Sequence, residues 1–155
     1  VVVGLTHGQL PTMDISFAQF FSQVEELAKR NPGRVINMMG DKTPFRQVAG
    51  VIGRATAFVS LDSGLLYAAQ ALRAPTVSLW GTHSPATRLA YDPAYMQLAI
   101  HKVSACPAAP CYAFRAWPRD RCPASEGQHV CAPLAAVTVS DVMEKVTLAE
   151  KLLAG

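Results

Sequence analysis

The chain has 155 residues, 50% of them hydrophobic and 16% charged, which is enough apolar material for one globular domain over residues 1–155. Its net charge of +3 comes from scattered basic residues rather than a basic stripe, so no nucleic-acid partner is expected. No apolar run approaches the roughly 18 residues of a membrane span, and no signal peptide opens the chain. Since the first residue is Val, we expect the sequence to begin partway through a longer, cytoplasmic protein.

The continuous apolar run of residues 1–5 predicts a strand buried on both faces of a sheet. Further runs at residues 35–39, 57–61, 76–80 and, more weakly, 96–101 also predict strands. Helical patterns separate the first four runs, which is typical of βαβ units with parallel strands. The sequence therefore predicts an α/β fold, with a Rossmann-like parallel sheet that carries helices on both faces.

Capping signals set the ends of the predicted helices. Ser16 is the expected N-cap of the first helix, and residues 31–33 end it. Thr43 is the expected N-cap of the second helix, with Pro44 as its first residue and Phe45 on its inner face. A terminal helix is predicted over residues 140–154. The inward residues are expected to include Val24, Leu27, Ala28, Val48, Ala49 and Ile52 in the first two helices, and Val142, Met143, Val146, Ala149 and Leu153 in the terminal one.

The turn Asp62-Ser63-Gly64 joins a predicted strand directly to a predicted helix. Such a turn exposes the first backbone N–H groups of the helix at the positive end of its dipole, where anions bind. Gly64 lets a phosphate approach the backbone, and Ser63 adds a hydroxyl. The alternative is an ordinary helix cap by Asp62. A serine nucleophile on a strained elbow is rejected, because Leu61 and Leu65 stand where that motif requires glycine.

Two other strand-to-helix turns, at residues 40–43 and 81–84, are expected to line one crevice with this turn at the carboxyl edge of the sheet. Lys42, Arg46 and Arg54 are candidates for neutralising a diphosphate there, although such side chains are usually only solvated.

Four cysteines lie in a proline-rich segment, residues 103–133, that is predicted to be a long loop. Cys106, Cys111, Cys122 and Cys131 are separated by four, ten and eight residues, looser than the pairs of a zinc ribbon. A structural zinc or iron site, disulfides and free thiols all remain open. His129 is near enough in sequence to replace one ligand. The other histidines, His7, His83 and His101, are expected to be ordinary surface or loop residues.

Residues 35–45, 59–72 and 74–85 resemble successive blocks of glycosyltransferase family 9, which contains the ADP-heptose:lipopolysaccharide heptosyltransferases. The late cysteines and the terminal helix also match that family. The resemblance implies a GT-B fold, in which two Rossmann-like domains face each other across a cleft. The chain looks like the C-terminal, nucleotide-sugar-binding domain, incomplete at its start, with the N-terminal acceptor domain absent.

The resemblance also implies the site residues. The substrate-binding set is Lys42, Thr43, Asp62, Ser63, Gly64, Leu65, Tyr67 and Thr82, with Thr43 and its neighbours near the nucleoside. The carboxylate of Asp62 would repel phosphate, so it is assigned to capping or to a sugar hydroxyl. Tyr67 stands where relatives commonly have histidine, so the resemblance supports the fold more strongly than it supports heptose as the donor sugar.

The expected activity of the full-length enzyme is sugar transfer from an ADP-sugar to a lipopolysaccharide-type acceptor without a catalytic metal. The general base would belong to the N-terminal domain, so this chain has no catalytic residue of its own and is expected to be inactive alone. The expected location is cytoplasmic, with peripheral contact at the inner membrane face. The alternatives are a non-catalytic nucleotide-binding or interaction module and an epimerase of similar fold, for which no cysteine loop is expected.

Overall fold

The structure is a computed structural model that describes residues 2–4, 15–38, 43–89, 92–111 and 131–153. Its residues group into two compact units, Val1–Val48 and Ala49–Gly155. In the first unit, strand β1 (Val2–Gly4) pairs in parallel with strand β2 (Ile36–Met38). Helix α1 (Ile15–Arg30) connects them. These three elements form one βαβ unit, as predicted.

Helix ends in this part of the chain differ slightly from the capping signals. Helix α1 begins at Ile15, so Ser16 lies inside its first turn and is not the N-cap. Helix α2 (Phe45–Ile52) begins one residue after Pro44, whose carbonyl accepts the first backbone hydrogen bond, from Gln47 at 2.8 Å. The caps at Ser16 and Thr43 were therefore misplaced by one or two residues, the usual uncertainty of helix ends.

The second unit contains a three-stranded parallel sheet in the order β3-β4-β5. Its strands are β3 (Phe58–Leu61), β4 (Thr76–Trp80) and β5 (Ala99–His101). Its helices are α3 (Gly64–Ala71), α4 (Pro93–Gln97), α5 (Ala132–Ala135) and α6 (Val139–Leu153), with single 3₁₀ turns at Pro85–Thr87 and Val103–Ala105. Parallel strands joined by helices confirm the predicted α/β class and are consistent with a Rossmann-like fold.

The predicted fifth strand began too early. Met96 belongs to α4, and only Ala99–His101 form β5. The Oδ1 atom of Asp92 accepts the backbone N–H of Ala94 at 2.9 Å, and Pro93 is the first helical residue. This Asp-Pro pair is a helix start signal that outweighs the apolar character of the residues after it.

The core of the second unit surrounds β4, the central strand. Four of its five residues are buried, and Trp80 packs with Leu66, Leu89 and Tyr95. Inside this core Trp80 Nε1 donates to the hydroxyl of Ser78 at 2.8 Å. A central parallel strand is covered on both faces, and accordingly the polar residues Thr76 and Ser78 of β4 are buried together with its apolar ones.

Some side chains predicted to point inward do not. Phe45 is 59% exposed and Met143 is 55% exposed, and Leu27 is exposed as well. Val24, Ile52 and Ala149 are buried as predicted. No helix in the described ranges is long and apolar enough to cross a membrane.

The cysteine segment is described only at its two ends. Helix α5 lies against the 3₁₀ turn at Val103–Ala105, so the start and the end of the predicted loop are neighbours. Residues 112–130, with Cys122 and His129, lie outside the described part.

Candidate functional site

The turn between β3 and α3 presents backbone donors at the carboxyl edge of the sheet. Ser63 is the N-cap of α3 in an extended conformation, and its side chain makes no capping hydrogen bond. Its hydroxyl instead lies 3.2 Å from that of Ser60, and its carbonyl accepts the N–H of Leu66 at 3.0 Å. The N–H groups of Gly64 and Leu65 have no carbonyl partner within the helix, as at any helix start. They mark the positive end of the α3 dipole.

Gly64 leaves open space at this helix start. A Cβ atom added there would meet no heavy atom within 4 Å, and the residue does not adopt the left-handed backbone conformation. Neither packing nor backbone geometry therefore requires glycine here. A ligand that approaches the backbone closely would require it.

Asp62 does not cap the helix, so the capping alternative is wrong. Its Oδ1 atom accepts the hydroxyl of Tyr67 at 3.0 Å, and its Oδ2 atom lies 3.7 Å from Nδ1 of His83. The side chains of Asp62 and His83 are only 25% and 20% exposed. The carboxylate is thus held between the first turns of α3 and the turn that follows β4.

The hydroxyl of Tyr67 is a hydrogen-bond donor in this arrangement. Partial burial, and then the hydrogen bond to Asp62 and its negative charge, raise the pKa of Tyr67 above its ordinary value of 10.0. The guanidinium of Arg88 acts in the opposite direction and lowers that pKa. Tyr67 is therefore neutral at physiological pH, with its proton available to the carboxylate.

The turn after β4 supplies the other side of the site. Leu61 of β3 stands opposite Leu79 of β4 in the parallel register, which brings the two strand ends to one edge. The hydroxyl of Thr82 lies 3.0 Å from His83 Nδ1. Behind it, His101 Nε2 contacts the carbonyl of Gly81 at 3.0 Å and so ties the end of β4 to the end of β5.

Sequence reasoning missed His83, Arg88 and His101. Both histidines were expected to be ordinary surface or loop residues: His83 does lie in a loop, the turn that follows the carboxyl end of β4, whereas His101 is the last residue of β5. That position was the available signal, because ligands of open α/β sheets bind at this edge. Arg88 follows a 3₁₀ turn and had no motif to mark it.

The predicted site residues are only partly brought together. Six of them lie in the second unit, in or near the turns after β3 and β4: Asp62, Ser63, Gly64, Leu65, Tyr67 and Thr82. Thr43 belongs to the first unit, and Lys42 lies outside the described residues. Arg46 is exposed on α2, and Arg54, two residues after the end of α2, donates to the carbonyl of Gly50 in that helix at 3.4 Å. The contribution of the turn at residues 40–43 to one common crevice stays a prediction.

The cysteines give no metal geometry in the described part of the chain. Cys106 is buried, Cys111 and Cys131 are half-buried, and no disulfide joins these three. Where the structure describes side chains, no group of three His, Cys, Asp or Glu residues could hold a metal ion. Because Cys122 lies outside these ranges, the four-cysteine site remains a prediction.

Two clefts among the described residues lie along α6, away from the residues of the two turns. One, of about 230 Å³, is lined by the ends of β5 and α6, including His101, Lys102 and Asp141. The other, of about 310 Å³, is an apolar groove between Leu79, α5 and α6. Neither of these two clefts is lined by Asp62, Gly64, Tyr67 or His83.

A known protein family matches the part of the chain that contains these turns. The model of glycosyltransferase family 9 (heptosyltransferase) matches residues 21–116, more than half of the chain. The match includes both turns and every side chain around Asp62. No curated protein and no solved structure gives a match. From the extent of the family match, the chain belongs to glycosyltransferase family 9, the heptosyltransferase family.

Proposed function

We propose that the chain is the donor-binding domain of a glycosyltransferase that moves a heptose-like sugar from an ADP-sugar to a lipopolysaccharide-type acceptor. The observation that carries this proposal is the open start of α3 at Gly64, which lies within the stretch matched by the family. In this proposal the chain is the C-terminal half of a GT-B enzyme. It works at the cytoplasmic side of the inner membrane, beside an N-terminal acceptor domain.

The chemistry that such a site would supply is stabilisation of the leaving diphosphate. When the bond between the sugar and the diphosphate breaks, negative charge grows on the phosphate oxygens. The N–H groups of Gly64 and Leu65 and the positive end of α3 are positioned to accept such charge without rearrangement. In the proposal no catalytic metal is needed, and a carboxylate of the acceptor domain deprotonates the attacking hydroxyl.

The carboxylate of Asp62 fits the sugar better than the phosphates. An ionised carboxylate only accepts hydrogen bonds, so it repels a diphosphate and attracts hydroxyl donors. Its two contacts, to Tyr67 and His83, leave acceptor positions for a polyol. We therefore assign Gly64 and Leu65 to the diphosphate, Asp62 to the sugar, and Ser63 and Thr82 to its immediate surroundings.

Calorimetric titration with ADP tests the proposal directly. The variants Gly64→Ala and Gly64→Val add one and three carbon atoms, and the first of these, the Cβ atom, meets no heavy atom within 4 Å, so we expect both variants to fold. We expect ADP affinity to fall stepwise, by about tenfold or more for Gly64→Val, which is about 1.4 kcal/mol. Gly50→Ala on α2 is the matched control, because a Cβ there meets only Arg54 at 3.8 Å.

Equal ADP affinity in the native chain and in Gly64→Val would refute this assignment. A chain that binds no nucleotide at all would favour the non-catalytic module. Thermal unfolding gives an independent reading, since ADP at 100 times its Kd should stabilise the chain by about 2.7 kcal/mol.

A further inference from the structure

We propose that Tyr67 and His83 are positioning residues that fix the Asp62 carboxylate for recognition of the transferred sugar. The inference rests on the proposed donor-binding function and adds to it the groups that select the glycosyl part over the nucleotide part. Neither residue needs to touch the donor. Each acts through Asp62.

The two contacts approach the carboxylate from different elements. Tyr67 lies on α3, one turn beyond the helix start, and donates to Oδ1 at 3.0 Å. His83 lies in the turn after β4, and its Nδ1 atom is 3.7 Å from Oδ2. The hydrogen bond from Tyr67 restricts rotation of the short Asp62 side chain, and the imidazole beside Oδ2 restricts it further. The remaining lone pairs of the carboxylate then have preferred directions.

His83 is itself oriented by Thr82, whose hydroxyl oxygen lies 3.0 Å from Nδ1. The Nδ1 atom therefore has two oxygen neighbours, the Thr82 hydroxyl and the Asp62 carboxylate. A proton on Nδ1 is favoured here, because a bare nitrogen lone pair would face the negative carboxylate. With that proton in place, the imidazole attracts Oδ2 and the Thr82 hydroxyl serves as a second acceptor.

This arrangement favours selection of the sugar rather than general stabilisation. Asp62 lies directly before Ser63, the N-cap of the helix start that would hold the diphosphate. Holding its carboxylate toward Tyr67 and His83 leaves its remaining acceptor positions for the hydroxyls of the sugar. A donor whose hydroxyls match these directions gains hydrogen bonds, and ADP without a sugar gains none.

The test compares ADP-heptose with ADP on the same variants by calorimetry, in the chain or in the full-length enzyme. We expect Tyr67→Phe, which removes the hydrogen bond to Oδ1, and His83→Ala, which removes the imidazole beside Oδ2, each to weaken ADP-heptose binding about five- to tenfold. Affinity for ADP itself should change less than about twofold. His83→Asn, whose amide N–H can replace Nδ1–H, should recover most of the loss.

Tyr95→Phe is the matched control for Tyr67→Phe. It also removes one hydroxyl, which donates to the carbonyl of Ala74 at 3.2 Å and lies in the core. It should leave the ratio of the two affinities unchanged. The double variant Tyr67→Phe, Asp62→Asn should be no worse for ADP-heptose than Asp62→Asn alone, because Tyr67 acts only through that carboxylate.

The outcomes separate this inference from the proposed function. If the native chain binds no ADP, or if Gly64→Val binds it equally well, both ideas are overturned. If ADP binding depends on Gly64 but Tyr67→Phe and His83→Ala leave the ratio of affinities unchanged, only the positioning role is overturned. Equal losses for ADP and ADP-heptose would likewise overturn it, since they indicate a structural effect.

Discussion

The Sγ atom of Cys131 lies 3.0 Å from the position that a Cβ atom on Gly81 would occupy. Two atoms of Leu134, Cγ and Cδ1, are equally close to that position. The segment that returns from the cysteine region thus packs directly on the turn after β4. This contact covers one side of the turn after β4, and in the same turn His83 lies beside Asp62 and contacts the hydroxyl of Thr82.

We expect Gly81→Ala to lower the free energy of unfolding by about 1–3 kcal/mol, because a methyl group would overpack the contact with Cys131 and Leu134. Urea unfolding followed by circular dichroism measures this. Gly64→Ala, at a glycine with open surroundings, should change the same quantity by less than about 0.5 kcal/mol. Equal stability of Gly81→Ala and the native chain would contradict the close packing of α5 on this turn.

A second prediction concerns the end of α3. Arg73 has a φ of 55°, the left-handed conformation that favours glycine. Its N–H bonds the carbonyl of Gln70, and the N–H of Ala74 bonds that of Ala69, both at 2.9 Å. These two bonds form a Schellman motif, in which glycine is the usual left-handed residue.

Arg73→Gly should therefore stabilise the chain by about 0.5–1 kcal/mol, the steric relief less the extra chain entropy of glycine. Arg73→Lys keeps both the Cβ atom and the charge, and should give no gain. Melting temperatures of the three proteins provide the comparison. A lower melting temperature for Arg73→Gly than for the native chain would mean that the arginine side chain contributes more than its backbone strain costs.

The fold was largely predictable, because short runs rich in apolar and β-branched residues, such as that of β4, and glycine turns, such as that at Gly64, are local signals. The helix ends and the start of β5 were harder to predict. At Met96 an apolar run suggested a strand, but the Asp92 cap and Pro93 made the residues a helix. Exposed Phe45 and Met143 show that a helical period places a residue on a face without proving what covers that face.

The site was predictable only in its backbone part. The open helix start follows from the order Asp-Ser-Gly after a strand, which is visible in one segment. The partners of Asp62 cannot be seen in one segment of the sequence. His83 comes from another turn, and it approaches Asp62 only because the strand register sets Leu61 beside Leu79. A single histidine gives no periodic pattern in the sequence, so the position of His83 beside Asp62 becomes visible only when the two strands are paired.

A third prediction concerns the buried pair Ser78 and Trp80. The indole N–H donates to the Ser78 hydroxyl at 2.8 Å, and both residues are almost wholly buried. Ser78→Ala leaves this N–H without its acceptor, and should cost about 1–3 kcal/mol of stability. Guanidinium unfolding measures the loss.

Removing the indole as well should make the loss smaller than the sum of the two single changes. The double variant Ser78→Ala, Trp80→Phe therefore provides the control, since its coupling energy reports the hydrogen bond itself. Additive effects of the two substitutions would mean that the contact contributes nothing to stability.

The last prediction is a dependence of stability on acid at the start of α6. The Oδ1 atom of Asp141 accepts Lys102 Nζ at 2.5 Å, and its Oδ2 atom accepts the backbone N–H and the hydroxyl of Thr138 at 2.8 and 2.7 Å. The Thr138 hydroxyl accepts the N–H of Asp141 in return, as in a capping box. The Lys102 hydrogen bond, followed by those of Thr138, holds the pKa of Asp141 well below its ordinary value of 3.8.

A carboxyl group whose pKa is lower in the folded chain than in the unfolded chain stabilises the fold when it is ionised. That contribution is complete above about pH 5 and is lost progressively as the pH falls below the unfolded value, near 4. Urea unfolding of the native chain and of Asp141→Ala at pH 6, 4 and 3 should show a difference in midpoint that narrows as the pH falls. Lys102→Met removes the partner of largest effect and should reduce this pH dependence in part, whereas a difference that stays constant from pH 6 to pH 3 would show that Asp141 acts through packing and not through its charge.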